Sequence, residues 1–317
     1  MLNILLLILG FALLIYGANA LVDGASSLAK TYNIPNIVIG LTIVAFGTSS
    51  PELVVNVMAS ANEQSDIALG NILGSNIFNV LAILGLSAIV YPLSIKSNTT
   101  WIEIPLSLLS ALVVLTMAND IFLDGSQTSV ISRTEGIGLI FFFIIFMVYN
   151  LSLMKNNPFE SPLNIKYLTR PKSFLYILFG LMGLILGGKL IVESASDIAR
   201  AYGISERIIG LTIVSIGTSA PELATALAAA YKKNVDLAIG NIVGSNIFNI
   251  FLVLGISSVV NPVKVNINSN FDLLVNVGAG LLLFIFVFTG RKRQLERWEG
   301  ILLFLLYILY LTFLLMW

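Results

Sequence analysis

The sequence contains neither cysteine nor histidine, and only 11% of its 317 residues are charged. These absences exclude disulfide bonds and metal sites built on thiolate or imidazole ligands. They also exclude a protease in which histidine activates a serine, and no aspartate pair recurs in the apolar segments to support an aspartyl protease. We therefore expect a protein that is not an enzyme and that carries no prosthetic group.

The sequence consists largely of long apolar segments. Hydrophobic residues make up 57% of the chain, and the mean hydropathy is +0.95. A helix needs roughly 20 apolar residues to cross about 30 Å of hydrocarbon. The predicted fold is an all-α polytopic membrane protein with ten transmembrane helices, near residues 2–22, 36–61, 66–91, 100–118, 136–154, 173–199, 206–231, 236–261, 271–290 and 298–317.

We expect such a chain to lie in a lipid bilayer. The sequence gives no sign of nucleic-acid binding or of an obligate protein partner. The first apolar segment resembles a secretory signal at GANA, but Met1–Asn3 carries no Lys or Arg. We interpret it as a retained helix, because signal peptides begin with positive charge.

The chain repeats itself after a shift of 170 residues, which aligns Gly17–Pro92 with Gly187–Pro262 without a gap. Between Ile39–Leu53 and Ile209–Leu223, twelve of fifteen positions are identical. A weaker echo of RTEG in RWEG indicates that each copy is five helices long. Because five is odd, the second copy enters the membrane from the opposite face, and the repeats are inverted. The predicted divisions are a first repeat at 1–154, a linker at 155–172 and a second repeat at 173–317.

The distribution of basic residues predicts the orientation in the membrane. If the ten helices alternate in direction, the loops on one side hold twelve Lys and Arg residues, and those on the other side hold four. Positive charge concentrates in cytoplasmic loops. We therefore expect the linker 155–172 in the cytoplasm and both termini outside, in a protein of the cell membrane.

Each repeat places one acid inside an apolar segment, namely Glu52 in GTSSPEL and Glu222 in GTSAPEL. A charged carboxylate at this depth costs several kcal/mol unless it is compensated. Equivalent positions of inverted repeats meet near the membrane midplane, where transporters bind their substrates. We expect the two acids to share one cation site. A structural ion pair with Lys189 is the alternative.

Proline and glycine beside each acid predict a broken helix. Pro51 and Pro221 cannot donate a backbone hydrogen bond, so each helix is expected to break near GTS-x-P. We expect freed carbonyls at four positions, Ala45, Thr48, Ser215 and Thr218. Hydroxyl ligands are expected beside them, from Thr48, Ser49, Thr218 and Ser219. Such oxygen ligands suit sodium or calcium.

The segment that follows, GNILGSNIFN, spaces Asn71, Ser75 and Asn79 at four-residue intervals and stacks them on one helix face. The second copy repeats this pattern with Asn241, Ser245 and Asn249. The serines and the last asparagine of each copy are candidates for the shared cavity. For the first asparagine of each copy, helix packing is the better interpretation.

With GTSSPEL and GTSAPEL each followed by GSNIFN, the chain resembles the sodium/calcium exchanger family, cation/calcium antiporters with two α-repeats. The resemblance covers nearly the whole chain, and it implies exchange of transported calcium and sodium ions by alternating access. It also implies that the first and sixth helices slide as a pair. Potassium-dependent relatives carry aspartate where this chain has Asn249, so potassium-independent exchange is expected.

The resemblance also implies a role for each motif residue. Glu52 and Glu222 would hold calcium together with main-chain oxygens at Thr48 and Thr218. Asn79 and Asn249 would line the middle of the site. The flanking sodium sites would use Ala45, Ser49, Ser75 and Glu52 in one half and Ser215, Ser219, Ser245 and Glu222 in the other.

Two other functions remain open from the sequence. A proton/calcium antiporter would use the same glutamate pair, with protonation in place of sodium binding. A cation channel would also use glutamates and carbonyls. Inverted repeats with broken helices at their centre favour a carrier over a channel.

Overall fold

The structure is a computed structural model that describes residues 2–156, 168–201, 215–267, 269–289 and 293–316. Helices dominate it, and we number them α1 (Leu2–Thr31), α2 (Asn36–Thr48), α3 (Ser50–Ala61), α4 (Ser65–Val90), α5 (Thr99–Met117), α6 (Asp120–Leu123), α7 (Arg133–Asn156), α8 (Arg170–Ala201), α9 (Ser215–Thr218), α10 (Ala220–Tyr231), α11 (Val235–Val260), α12 (Ser269–Phe286) and α13 (Arg297–Met316).

The predicted fold class, an all-α membrane protein of two inverted repeats, is confirmed. Within the described ranges, eight helices are long and apolar enough to cross a membrane, and the bent pair α2 and α3 makes a ninth span. The run predicted at 206–231 begins outside the described residues and continues as α9 and α10. The predicted linker 155–172 also lies largely outside them.

The helix break predicted at GTS-x-P is present in both copies. The axes of α2 and α3 differ by 48°. Ser49, at φ −85° and ψ 6°, and Ser219, at φ −90° and ψ 7°, both lie between α and β geometry. Pro51 and Pro221 fall in the first turn of the helix that follows, where a missing N–H breaks no intrahelical bond.

The helices α4 and α11 form the centre of the molecule. In the apolar stretch of each, 83% of the residues are buried, compared with 22–33% in the other single spans. Both helices widen into π geometry at equivalent positions, Phe78–Leu84 and Phe248–Leu254. Wide turns of this kind are frequent at functional sites.

The fifth helix of each repeat packs on the central helix of the other repeat. Close approach at Gly85 and Gly300 joins α4 to α13, and Gly136 and Gly255 join α7 to α11. A Cβ at Gly300 would lie 2.6 Å from the Gly85 carbonyl, so a side chain there would separate the helices. The weak RTEG and RWEG echo in the sequence therefore marks these two crossings.

Four short strands, absent from our prediction, connect the two repeats outside the helices. The strands are β1 (Leu93–Ser94), β2 (Ser129–Ile131), β3 (Val263–Val265) and β4 (Gln294–Leu295). β1 pairs antiparallel with β4, and β2 pairs antiparallel with β3. Each pair satisfies backbone groups in a loop at one end of the helix bundle.

The helices α1 and α8 lie against each other along a stripe of glycines. A Cβ on Gly180 would lie 2.6 Å from the Leu21 nitrogen and 2.9 Å from the Gly17 carbonyl. A Cβ on Gly17 would lie 2.9 Å from the Gly180 carbonyl. Small residues of this kind allow membrane helices to approach closely.

We predict that Gly180→Ala lowers the thermal unfolding temperature in detergent, because the new methyl group must push α1 and α8 apart. Overpacking of this kind costs about 1–3 kcal/mol. The matched control is Gly278→Ala in α12, where a Cβ meets no atom within 4 Å. Its unfolding temperature should stay equal or rise, since alanine favours the helix. Equal unfolding temperatures for both variants would contradict the close approach of α1 and α8 at Gly180.

Candidate cation-binding site

The two glutamates lie where the helix breaks place them. Glu52 is in the first turn of α3, Glu222 is in the first turn of α10, and each side chain is 1% exposed. The first turn of a helix favours negative charge, because its N–H groups point toward the preceding break. The break therefore positions each carboxylate and also stabilises part of its charge.

Each carboxylate accepts a hydrogen bond from the break of the opposite repeat. Ser49 Oγ, beside Glu52 in sequence, donates to Glu222 Oε1 at 2.9 Å. In the same way, Ser219 Oγ donates to Glu52 Oε1 at 3.1 Å. This exchange shows that the two breaks cross, so that both acids belong to one buried centre.

The serines of the central helices complete this centre. Ser245 Oγ lies 3.0 Å from Ser49 Oγ and 3.5 Å from Glu222 Oε1. Ser75 Oγ lies 3.0 Å from Ser219 Oγ. All of these hydroxyls are buried. The face of α4 and α11 that carries Ser75 and Ser245 therefore turns toward the broken helices.

Four acceptor oxygens at this centre have no hydrogen-bond partner among the described residues. Two are the Oε2 atoms of Glu52 and Glu222, and two are the Oδ1 atoms of Asn79 and Asn249. An unpartnered buried acceptor is costly, and an unpartnered buried carboxylate more so. A set of oxygens without donors matches the ligands that a hard cation takes.

Two asparagines that we did not predict, Asn76 and Asn246, hold the predicted ones in place. Asn79 Nδ2 donates to Asn246 Oδ1 at 2.9 Å, and Asn249 Nδ2 donates to Asn76 Oδ1 at 3.0 Å. Both residues belong to the repeated GSNIFN segment. Their recurrence in both copies was a signal for them, but they fall outside the four-residue spacing that we followed.

The threonine hydroxyls at the breaks bind to the central helices. Thr48 Oγ1 lies 3.1 Å from Asn241 Oδ1, and Thr218 Oγ1 donates to Asn71 Oδ1 at 3.3 Å. Asn71 and Asn241 therefore join helices, which is the role that we preferred for them.

Our prediction that the break frees the Ala45 carbonyl is wrong. Ala45 O accepts the backbone N–H of Ser49 at 2.9 Å, because the break comes after Thr48. Proline at position 51 removes the donor that would reach Gly47, four residues earlier, rather than Ala45. Ser215 begins α9, but its side chain lies outside the described ones.

No described Lys or Arg side chain forms an ion pair with either glutamate. Lys189, the alternative partner, lies on an exposed face of α8 with its Nζ 3.7 Å from Glu193 Oε1. The part of the chain that the structure describes also contains no cluster of three Asp or Glu side chains suited to a metal. A cation at this centre would therefore meet two carboxylates, with neutral oxygens as its other ligands.

Comparisons with known proteins agree with this architecture. Residues 2–152 and 172–316 match the family model described as sodium/calcium exchanger protein. The chain is 39% identical to inner membrane protein YrbG of Escherichia coli over 82% of this chain and 81% of that protein. It is 32% identical to sodium/calcium exchanger MaX1 of Methanosarcina acetivorans, over 98% and 97% of the two chains. A solved structure of the sodium-calcium exchanger NCX_Mj superposes with a TM-score of 0.84 at 33% identity, covering 98% of each chain. The chain thus belongs to the sodium/calcium exchanger family.

Proposed function

We propose that this protein exchanges sodium for calcium by alternating access at a site built on Glu52 and Glu222. The observation that supports this most directly is the set of unpartnered oxygens on Glu52, Glu222, Asn79 and Asn249. Their number and kind suit a hard cation, and cation/calcium exchange is the activity of the family. The transported ions are the substrates, and no prosthetic group takes part.

The charge of the two glutamates explains why the ions would exchange. When both are ionised, the site carries a formal charge of −2, which one calcium ion or two sodium ions neutralise. Uncompensated charge is very costly in a buried environment. The empty site would therefore resist passage through an occluded state, while either loaded form would pass. Calcium and two sodium ions cannot share the same two carboxylates fully, so one displaces the other.

The remaining predicted ligands fit around this pair in the same proposal. Ser49, Ser75, Ser219 and Ser245 would contribute hydroxyl oxygens to flanking sodium subsites. Main-chain oxygens at Thr48 and Thr218 would complete the calcium site, and Ala45 and Ser215 would bound the sodium subsites. The Ala45 oxygen accepts the Ser49 N–H at 2.9 Å and the Thr48 hydroxyl at 3.3 Å, and sodium would take the place of that hydroxyl.

Asn249 supports potassium-independent exchange. Its side chain is neutral, and its Nδ2 is committed to Asn76 Oδ1 at 3.0 Å. The site therefore gains an oxygen without a third negative charge. A further monovalent cation would then carry an excess of positive charge into the buried centre.

We place the protein in the cell membrane, with both termini extracytoplasmic and the linker 155–172 cytoplasmic. The repeats would span 1–154 and 173–317. The asymmetry of basic loop residues supports this orientation, and the name of the relative YrbG places that protein in an inner membrane. Under alternating access, α1 and α8 would slide as a pair over the other helices.

A proton/calcium antiporter is the second candidate, because the same observation supports it. The unpartnered Oε2 of each glutamate would bind either a proton or a metal ion. Two protons neutralise the pair as two sodium ions do. The two functions therefore differ in the driving ion and not in the site.

We predict that Glu52→Gln and Glu222→Gln each abolish sodium-driven calcium-45 uptake in proteoliposomes. Each change halves the negative charge of the site, so a bound calcium ion would keep one uncompensated positive charge. Removing one partner of a buried pair of opposite charges costs about 3–5 kcal/mol, at least about 100-fold in flux. Glu193→Gln is the matched control, since it makes the same chemical change at an exposed position of α8. Its uptake should equal that of the unsubstituted protein. Substantial coupled uptake in both site variants would refute the assignment.

The driving ion can be identified by imposing one gradient at a time on the same vesicles. Sodium coupling predicts that an outward sodium gradient drives calcium uptake at constant pH and that a potassium gradient adds nothing. Uptake that persists without sodium and follows a pH step would select the proton antiporter instead. A valinomycin clamp of the membrane potential separates coupled exchange from passive calcium entry.

A further inference from the structure

The ligand amides of the proposed site are held by a second pair of amides behind them. We propose that Asn76 and Asn246 are positioning residues that turn the side chains of Asn249 and Asn79 so that oxygen, and not nitrogen, faces the transported cation. This inference rests on the proposed function, because it concerns how the same site presents its ligands.

The contacts of the two positioning residues are reciprocal. Asn76 Nδ2 donates to the backbone carbonyl of Asn246 at 3.3 Å, and Asn246 Nδ2 donates to that of Asn76 at 3.4 Å. Both carbonyls belong to the last α-helical turn before the π segments of α4 and α11. All four side chains of the cluster are at most 4% exposed.

The backbone carbonyls determine which way every amide in the cluster points. A carbonyl can only accept a hydrogen bond, so the group that each positioning residue turns toward it must be the NH₂. The Oδ1 atoms of Asn76 and Asn246 then point the other way, toward Asn249 and Asn79. These oxygens can only accept, so Asn249 and Asn79 must offer their NH₂ groups to them.

Each backbone carbonyl, positioning asparagine and ligand asparagine thus form one chain of hydrogen bonds, which we call a relay. The Oδ1 atom at the end of each relay has no donor left. Asn79 Oδ1 and Asn249 Oδ1 are both buried without a partner among the described residues. They share this state with the Oε2 atoms of Glu52 and Glu222. In the absence of the relay, an asparagine could turn its NH₂ toward the site, and the positive end of that dipole would repel a cation.

The relay also explains the crossed pairing between the repeats. Asn76 of α4 positions Asn249 of α11, and Asn246 of α11 positions Asn79 of α4. Loss of the Asn76 side chain would release Asn249, but the Asn76 backbone carbonyl would still hold Asn246. The effect of each substitution should therefore appear at one ligand and not at the other.

This pairing can be tested with calcium affinity measured by isothermal titration calorimetry on the full-length protein in detergent. We expect Asn76→Ala to weaken calcium binding about 10- to 100-fold, which is the usual effect of losing a group that orients a metal ligand. In the Asn249→Asp background, the same substitution should cost less than about threefold, since a carboxylate presents an oxygen in either orientation. In the Asn79→Asp background, the full loss should return.

Equal losses from Asn76→Ala in all three backgrounds would overturn the proposal, because a general packing defect does not depend on the partner. No loss in the unsubstituted background would overturn it as well. If Asn76→Ala does not yield folded protein, the mirror cycle applies, with Asn246→Ala suppressed by Asn79→Asp and not by Asn249→Asp. The proposed function fails separately, if the unsubstituted protein does not bind calcium at all.

Discussion

Two carboxylates buried together repel each other and lack the water that would otherwise solvate their charge. In this protein each of them receives one hydroxyl donor from the opposite repeat, and no described basic side chain pairs with either. The second oxygen of each acid has no hydrogen-bond partner in the part of the chain that the structure describes. Folding therefore leaves a site that is short of positive charge. The broken helices, the buried central helices and the crossed serines all serve to hold these two acids in place despite that shortage.

The duplication makes such a centre possible from a short motif. A single broken helix carries one acid and one serine, and in this structure the serine donates to the acid of the other broken helix. Because two inverted copies cross, Ser49 Oγ donates to Glu222 Oε1 and Ser219 Oγ donates to Glu52 Oε1 at nearly equal distances. The same exchange recurs in the amides of α4 and α11. Each half therefore completes the other, which gives a structural reason for the near identity of the motifs, while the loops outside them have diverged.

The repeat, the all-helical architecture and the positions of the helix breaks could be predicted from the sequence, because each depends on a local pattern that occurs twice. The four short strands could not, since β1 and β4 are about 200 residues apart in sequence and are too short to leave a pattern of their own. The Ala45 carbonyl was misassigned because Pro51 removes the donor to Gly47, four residues earlier, while Ala45 O keeps the Ser49 N–H. Asn76 and Asn246 were missed because their role depends on backbone carbonyls of the opposite helix, and no spacing within one helix reveals that partner.

In the proposed site, the neutrality of the amides of Asn79 and Asn249 would determine which cations the site can distinguish. In the proposed site, the two glutamates alone would set the formal charge, and so they would set how much positive charge an occluded state tolerates. In the proposed site, Asn79 and Asn249 would add oxygen ligands without changing that sum, which would matter most for calcium, since it takes six to eight oxygens. A neutral amide is useful only if its oxygen is the atom that faces the ion, because its nitrogen has the opposite polarity. Ligand number and net charge can therefore be set independently only where the amides are held in one orientation. In this structure the backbone carbonyls of the two central helices orient Asn76 and Asn246, which accept hydrogen bonds from the amides of Asn249 and Asn79.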